Sequence, residues 1–187
     1  MLHDQLTFQD KDFSGEAFGE HRFEDCQFIN CQFDQTDFRD TVLIDCRFEN
    51  CHFNNVLLAN CGFQDLSFDQ CKLVGTDFSE LRSFLLQFRF TSCRLEICRF
   101  SDLDLNGWDV QESQLIDCEL IRCSFQKANF QHSDFSQTKW EGNDLREADF
   151  RYAQNYQFAP ADNQIRKARF SKDAVWGLLA DFGIRIE

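Results

Sequence analysis

Residues 23–53 read FEDCQFINCQFDQTDFRDTVLIDCRFENCHF, and the spacing of apolar residues in this stretch decides the fold. An apolar residue returns at every fifth position, with a small or sulfur-containing residue two places before it in most repeats. The central apolar positions are Phe23, Phe28, Phe33, Phe38, Leu43, Phe48 and Phe53. A period of five fits neither the turn of an α-helix nor the alternation of a β-strand. The stretch is an internal repeat, which indicates a repeat protein.

The same register extends over most of the chain and slips once. It opens at Phe8 and, after Phe78, resumes two residues out of phase from Leu85 to Phe150. Bulky residues replace the small ones near this slip, at Phe88, Leu103 and Trp108. Since a two-residue insertion must bend or bulge a solenoid locally, we favour a hinge here over a long functional loop. The resulting divisions are a first repeat block (residues 1–80), an irregular hinge coil (81–89), a second repeat block (90–152) and a C-terminal segment (153–187).

The composition limits the kinds of molecule that this protein is expected to bind. The 187 residues include 23 Phe, and the formal net charge is −13 with a pI near 4.6. Such an acidic surface repels nucleic acid and anionic membranes, so direct binding to either is disfavoured. Basic protein surfaces, including those that normally hold DNA, are the expected partners. An alternative stays open, because net charge of either sign also serves solubility alone.

No segment indicates export, membrane insertion or catalysis. The N-terminus lacks the basic and apolar regions of a signal peptide, and no apolar run approaches the roughly 18 residues of a membrane span. We therefore expect a cytoplasmic protein. Phosphate-binding loops, nucleophile elbows and zinc-protease motifs are all missing from the sequence. We expect neither an enzyme nor a cofactor.

The C-terminal segment departs from the repeat. SKDAVWGLLADFG (residues 171–183) indicates a short helix, with Ser171 as a candidate N-cap and Gly183 as a C-terminal stop. A solenoid needs its last turn covered, because an open end exposes apolar surface and a strand edge. The segment has more apolar residues than a cap needs, so we predict a cap that also dimerises, with a cap alone as the alternative. The predicted dimerisation residues are Val175, Trp176, Leu178, Leu179, Phe182, Ile184 and Ile186.

Residues 6–152 resemble the pentapeptide-repeat family. The family pattern is a small residue, then Asp or Asn, then Leu or Phe, then two further residues. TDFRD (36–40), ANFQH (128–132) and ADFRY (148–152) match it. The resemblance implies an all-β fold, a right-handed quadrilateral parallel β-helix in which each repeat forms one side of a square coil. A short C-terminal α-helix would cap it.

Ten cysteines all stand two places before a central residue of the repeat. In the implied fold this position points inward and has to be small, and a buried thiol behaves as a small hydrophobic group. Neighbouring cysteines would lie on different walls, so they would not converge on a metal ion. We therefore expect structural thiols and no metal. The cysteines are Cys26, Cys31, Cys46, Cys51, Cys61, Cys71, Cys93, Cys98, Cys118 and Cys123.

Acidic residues form rows in the implied fold. The residue two places after each central one lies at a corner, and corners 20 residues apart stack at about 4.8 Å. Stacked like charges cost stability, and an unselected surface would interleave them with Lys or Arg. Because Asn suits the corners equally well, the rows alone leave their function open. The predicted acidic wall comprises Glu20, Asp25, Asp40, Asp45, Asp65, Glu80, Asp144 and Asp149, the last two nearer the dimer centre.

The tail, ARFSKDAVWGLLADFGIRIE (168–187), resembles the C-terminal segments of the Qnr quinolone-resistance proteins, MfpA and the microcin immunity protein McbG. The resemblance implies a homodimer that mimics DNA and binds DNA gyrase or topoisomerase IV. Protection from quinolones or from a gyrase-poisoning toxin would be the outcome. Several Qnr proteins carry long loops that support drug protection, whereas this chain has only a short insertion, which puts drug protection in doubt. A rigid acidic scaffold for an unrelated basic protein is the alternative function.

Overall fold

Four consecutive repeats make one turn of a parallel β-solenoid in the computed structural model, which describes residues 1–184. The solenoid has about eight turns, and the predicted β-helix is confirmed. The strands in chain order are β1 (Leu2–Asp4), β2 (Thr7–Gln9), β3 (Arg22–Glu24), β4 (Gln27–Ile29), β5 (Gln32–Asp34), β6 (Val42–Ile44), β7 (Arg47–Glu49), β8 (His52–Asn54), β9 (Gly62–Gln64), β10 (Leu66–Asp69), β11 (Lys72–Val74), β12 (Phe88–Thr91), β13 (Arg94–Glu96), β14 (Arg99–Ser101), β15 (Val110–Gln111), β16 (Gln114–Ile116), β17 (Glu119–Ile121), β18 (Lys139–Glu141), β19 (Asp149–Phe150) and β20 (Arg169–Phe170).

The strands stack into four walls around one interior. Wall A contains β1, β3, β6 and β9, and wall B contains β2, β4, β7, β10, β12 and β15. Wall C contains β5, β8, β11, β13 and β16, and wall D contains β14, β17 and β18. Every pairing is parallel, and partners are 20 residues apart except across the register slip, where they are 22 apart. Residues at matching positions of successive turns therefore form vertical rows.

The central residue of each repeat points into the solenoid, as predicted. Phe28 stacks on Phe48 with ring centroids 4.7 Å apart, and Phe48 stacks on Phe68 at 4.9 Å. Rings of neighbouring walls meet edge to face, as Phe28 and Phe33 do at 5.7 Å. Both geometries are favourable for aromatic pairs, and each buried ring also removes a large apolar area from water. The row of rings therefore forms the core.

Where the small inward position holds Thr, Ser or Cys, it supplies a hydrogen-bond donor as well as space. Thr36 Oγ1 donates to the carbonyl of Phe13 at 2.9 Å, and Cys46 Sγ lies 3.5 Å from the carbonyl of Phe23 in the same arrangement. All ten cysteines are buried at this position, as predicted. Burial raises the pKa of Cys46 to about 12 and that of Cys123 to about 11, so these thiols stay protonated at neutral pH.

The register slip is absorbed between Arg82 and Phe88 on wall A. Arg82 donates its backbone N–H to Cys61, one turn earlier, and Phe88 pairs with Leu66. The chain between them bulges outward, leaving Phe84 and Leu85 with 74% and 61% of their surface exposed. The prediction that Leu85 begins the second interior series is therefore wrong, because two extra residues cannot lie flat along a five-residue side.

Bulky residues fill the interior beside this bulge. Phe88, Leu103 and Trp108 are all buried, and the Trp108 ring lies 5.1–6.2 Å from the rings of its aromatic neighbours. Wall A contributes no inward ring where the chain bulges, so side chains from the small positions of neighbouring walls occupy the space. The bulky residues that mark the slip in the sequence therefore compensate for it in the core.

A helix covers the carboxyl end of the solenoid, as predicted, although it has 3₁₀ rather than α geometry over Lys172–Phe182. Ser171 does not cap it with its side chain; the Ser171 hydroxyl instead accepts a hydrogen bond from the Tyr152 N–H at 2.7 Å. That bond ties the start of the helix to the last full turn. Gly183 ends the helix in the left-handed region, with φ of 60°.

Two histidines meet at the amino-terminal end of the interior. His3 Nε2 lies 3.2 Å from His21 Nδ1, and the His3 ring stacks on Phe23. Partial burial, together with the positive charges of His3 and the N-terminal amine, lowers the pKa of His21 below its ordinary value of 6.5. The neutral form of His21 therefore fits the folded state better than the charged form.

The first turn is expected to lose stability as the pH falls below about 6.5. The unfolded chain binds a proton at His21 more readily than the folded chain, so this contribution is complete above the unfolded pKa and is lost as the pH falls through the lower folded pKa. Hydrogen exchange of residues 1–20 between pH 7.5 and 5 measures the loss. His21→Thr, which copies Thr41 of the next turn, is expected to flatten the dependence; an unchanged profile in that variant would assign it to other groups.

Candidate partner-binding surface

Corner residues have a backbone conformation that selects their side chains. Asp25, Asp45 and Asp65 have φ of 50°, 52° and 53°, in the left-handed region. Asp and Asn tolerate this region better than most residues because their short polar side chains can hydrogen-bond locally. The backbone thus favours Asp or Asn at these three corners, and it accepts Asn as readily as Asp. The corner backbone therefore does not determine whether the residue there is charged.

Six of the predicted acidic residues line the two edges of wall A. The first acidic row (Asp25, Asp45 and Asp65) follows β3, β6 and β9, and all three side chains are exposed. The second acidic row (Glu20, Asp40 and Glu80) runs along the opposite edge, with Asn60 between Asp40 and Glu80, and is also exposed. The rows that the sequence placed on neighbouring edges therefore frame one surface.

Neither row is neutralised within residues 1–184. The structure pairs twelve cations with acids, and none of those ion pairs involves a residue of either row. Asp40 accepts a hydrogen bond from the amide of Asn60, and Arg82 donates to the same amide at 2.9 Å rather than to a carboxylate. Stacked carboxylates without counter-charges create a negative potential along both edges.

Asp144 and Asp149 lie elsewhere and are paired. Asp144 lies on the carboxyl-terminal continuation of wall A with 15% of its side chain exposed, and Arg146 binds it at 2.6 Å. Asp149 lies on wall B with 14% exposed, and Arg151 binds it at 2.7 Å. These arginines lower the pKa of both carboxyl groups. The structure therefore separates these two residues from the other six.

An arginine also ends the second acidic row. Asp102 follows Glu80 in the stack, and its carboxylate is bound by Arg122 of the next turn at 2.6 Å. A 20-residue spacing from Glu80 does not predict this pair, because the slip changes the spacing from 20 to 22 residues between Glu80 and Asp102. The feature of the sequence that does indicate this ion pair is the 20-residue spacing of Asp102 and Arg122, which places them at the same corner of successive turns. Along the second acidic row, carboxylates without an ion pair within residues 1–184 are thus confined to the turns before the register slip.

The net negative charge of the chain is also concentrated in its amino-terminal part. Residues 1–80 contain 16 acidic and 5 basic residues, a net charge of −11, whereas residues 81–187 contain 16 and 14, a net charge of −2. Residues 146–172 contain six basic and three acidic residues, a net charge of +3. The molecule therefore has an acidic amino-terminal half and a mildly basic segment before the tail.

The C-terminal helix divides the predicted dimerisation residues between the core and the surface. Leu178 is buried against the solenoid and Leu179 is half-buried. Ile186 lies outside the described residues. The exposed members of the set are Val175, Trp176, Phe182 and Ile184. One face of the helix thus covers the last turn, and the other presents apolar side chains to solvent.

No grouping of three or more metal-ligating side chains occurs within residues 1–184. The thiols face inward, and four of them (Cys31, Cys51, Cys71 and Cys93) stack in one row on wall C. The exposed carboxylates lie on convex edges of the solenoid. The chemistry available at wall A is therefore electrostatic recognition of a cationic surface.

Comparison with protein families agrees with this geometry. A family model described as the pentapeptide repeat region matches residues 21–89, and one described as pentapeptide repeats matches residues 98–137 and 123–154. This chain belongs to the pentapeptide-repeat family. No curated protein matches the chain significantly.

Solved structures of other pentapeptide-repeat proteins have the same fold. A trypsin-treated variant of QnrB1, a plasmid-mediated fluoroquinolone resistance protein, is 17% identical, with a TM-score of 0.63 over 100% of both chains. A second trypsin-treated variant has a TM-score of 0.64 at the same identity, over 99% of both chains. HetL, involved in heterocyst differentiation regulation in the cyanobacterium Nostoc, is 15% identical, with a TM-score of 0.68 over 90% of this chain and 84% of its own. At these identities the likeness concerns the fold alone.

Proposed function

We propose that this protein binds the DNA-binding surface of a type II topoisomerase, DNA gyrase or topoisomerase IV, with the two acidic rows of wall A in place of DNA. The supporting observation is that six exposed carboxylates line the two edges of one rigid wall without a counter-ion from the described chain. The likeness in fold to QnrB1, a fluoroquinolone resistance protein, is the reason for proposing a topoisomerase as the partner. Binding modulates access of DNA to the enzyme and is not a catalytic activity of this chain.

The physical basis is exchange of counter-ions. A topoisomerase surface that holds DNA carries Lys and Arg matched to rows of phosphates, and binding there releases condensed ions. Carboxylates stacked at about 4.8 Å on a rigid support present comparable rows of negative charge. Their mutual repulsion weakens when a basic surface covers them, so the stability that the rows cost the free protein is recovered on binding.

We also propose that two copies associate through the exposed apolar face of the C-terminal helix. The apolar side chains of Val175, Trp176, Phe182 and Ile184 are 41–66% exposed, and association would remove them from water. Within residues 1–184, no helix is long and apolar enough to cross a membrane. A cytoplasmic location, where topoisomerases act, completes the proposal.

The placement of charge favours a second candidate function, a rigid acidic scaffold for an unrelated basic protein. A continuous DNA mimic needs acid to run across the centre of a tail-to-tail dimer, whereas residues 146–172 carry a net charge of +3. A dimer of this chain would instead hold two acidic arms apart. Measurement against purified gyrase separates the two candidates, because a scaffold has no reason to compete with DNA.

Supercoiling of relaxed plasmid by gyrase, titrated with this protein, tests the proposal. The wild-type protein is expected to inhibit, and Asp25→Asn, Asp45→Asn and Asp65→Asn together are expected to raise the inhibitory concentration by about tenfold or more. These substitutions keep a residue that the corner backbone accepts. The wild-type affinity is also expected to fall with rising salt more steeply than that of the triple variant.

The matched control changes three acids on corners away from wall A: Asp10→Asn, Glu112→Gln and Asp117→Asn. It alters the net charge by the same amount. Equal loss of inhibition in both triple variants would attribute the effect to total charge rather than to wall A. If neither the wild-type protein nor its variants inhibit gyrase, the topoisomerase proposal is overturned and the scaffold is favoured.

A further inference from the structure

A recess opens where the first acidic row ends. It has a volume of about 370 Å³ and lies at the corner between walls A and B, immediately beyond Asp65. The bulge at the register slip leaves Leu86 and Gln87 at its edge, and Gly107 occupies the next corner without a side chain. A Cβ atom at Gly107 would meet nothing within 4 Å, so the space in front of it is open.

Three apolar side chains form the floor of the recess, whereas most of its exposed surface is polar. Leu66, Phe88 and Trp108 line it, and all three are buried residues of the core. Two of them are the bulky side chains that compensate for the register slip, so the recess and the slip have the same structural origin. Small-molecule and side-chain pockets commonly combine such a floor with a few polar groups at the rim.

The rim carries two carboxylates to which the described part of the chain supplies no ion-pair partner. Asp65 belongs to the unpaired first acidic row. Asp109 is half-buried, and its Oδ1 accepts a hydrogen bond from the Asn129 amide at 2.9 Å. Burial raises the pKa of Asp109 above its ordinary value, although the Asn129 hydrogen bond and the charge of Arg89 act in the opposite direction. Arg89 also lines the recess, and it forms no ion pair within the described residues.

We propose that this recess receives an arginine side chain of a basic protein partner, with the guanidinium plane over the apolar floor and its N–H groups donating to Asp65 and Asp109. A guanidinium is planar and weakly hydrated, so its faces pack on apolar and aromatic groups while its edges bind carboxylates. A lysine ammonium is compact and strongly hydrated, so it fits the floor less well. The identity of the partner rests on the proposed function, whereas recognition of an arginine side chain does not.

The test uses N-acetyl-arginine amide and the Trp108 indole N–H as an NMR reporter. Titration into ¹⁵N-labelled protein is expected to shift this signal, with N-acetyl-lysine amide giving a smaller shift. N-acetyl-citrulline amide, which has nearly the same shape without the charge, is expected to give none. An equal response to arginine and citrulline amides would overturn the proposal, because the carboxylates would then contribute nothing.

Two variants of the rim move the affinity in opposite directions. Asp109→Asn is expected to weaken binding of N-acetyl-arginine amide by about fivefold, and Arg89→Gln is expected to strengthen it by removing a competing cation. Asp117→Asn, a change of the same charge outside the recess, is expected to have no effect. Unchanged binding in Asp109→Asn would refute the proposal. If this protein binds N-acetyl-arginine amide but does not bind gyrase, the proposal of an arginine-binding recess stands. Only the topoisomerase is then rejected as the partner.

Discussion

Replacement of Trp108 by alanine is expected to lower the free energy of unfolding by about 3–5 kcal/mol. Only 3% of Trp108 is exposed, and its ring contacts aromatic rings of three walls where the bulge has removed an inward residue of wall A. No neighbouring backbone can move inward to fill the cavity, because each turn is held to the next by hydrogen bonds. Chemical denaturation followed by circular dichroism measures the loss.

Two further variants make this expectation specific. Phe84→Ala changes a mostly exposed ring of the adjacent bulge and is expected to alter stability by less than about 0.5 kcal/mol. Trp108→Phe keeps a ring in place and removes an indole N–H that has no hydrogen-bond partner among residues 1–184, so it is expected to cost much less than Trp108→Ala. Equal losses in Phe84→Ala and Trp108→Ala would mean that the bulge, rather than the packing beneath it, holds the two blocks together.

The second large effect concerns Gly177→Ala, which is expected to displace the C-terminal helix from the solenoid. A Cβ atom at Gly177 would lie 2.1 Å from the carbonyl oxygen of Tyr156, and this backbone atom cannot move aside. Loss of helix docking exposes Leu178 and opens the chain around Lys172 to protease. Trypsin cleavage in this region is expected to become at least about tenfold faster, because cleavage follows the population of the open state.

Loss of docking is also expected to abolish the proposed dimer, since the helix would no longer present a fixed apolar face. Sedimentation velocity reports this change, while circular dichroism is expected to show an intact β-solenoid. Gly183→Asn is the control, because Asn tolerates the left-handed backbone at this position and nothing lies within 4 Å of a Cβ atom there. A tail equally protected from trypsin in Gly177→Ala and in the wild-type protein would show that this close approach does not determine docking.

The repeat could be recognised in the sequence because its five-residue period follows from the length of one side of the coil. A five-residue side leaves one central residue inside, one small residue beside it and one residue at the corner, so a single chain reports all three positions. Phe28, Cys31 and Asp25 were assigned to inside, small position and corner in this way, and the structure places them there. Leu85 was assigned wrongly, because periodicity does not tell which of several apolar residues faces inward where the register changes.

The ion pairs, by contrast, depended on distances between turns and on rotamers. Asp45 and Asp144 are both acidic residues of repeats, yet one is free and the other is bound by an arginine two residues along the chain. Their positions in the repeat differ, since Asp144 precedes a central residue and Asp45 follows one by two places. Only the structure shows that an arginine two residues on reaches an aspartate at the first position, as at Asp37, Asp144 and Asp149. The recess beside Asp65 is also invisible in the sequence, because it requires a bulge, a glycine corner and two carboxylates from different turns.

By itself, therefore, the sequence determined the β-solenoid, its interior, its corners and the presence of a covering helix, because each of these follows from local spacing and residue size. The tertiary structure alone decided which acids remain unpaired, that their two rows frame one wall, and which face of the helix stays exposed. Side-chain direction decides the ion pairs between residues two positions apart. The framing of wall A and the covered face of the helix come from contacts between distant residues, because stacking, rather than sequence order, sets those neighbours.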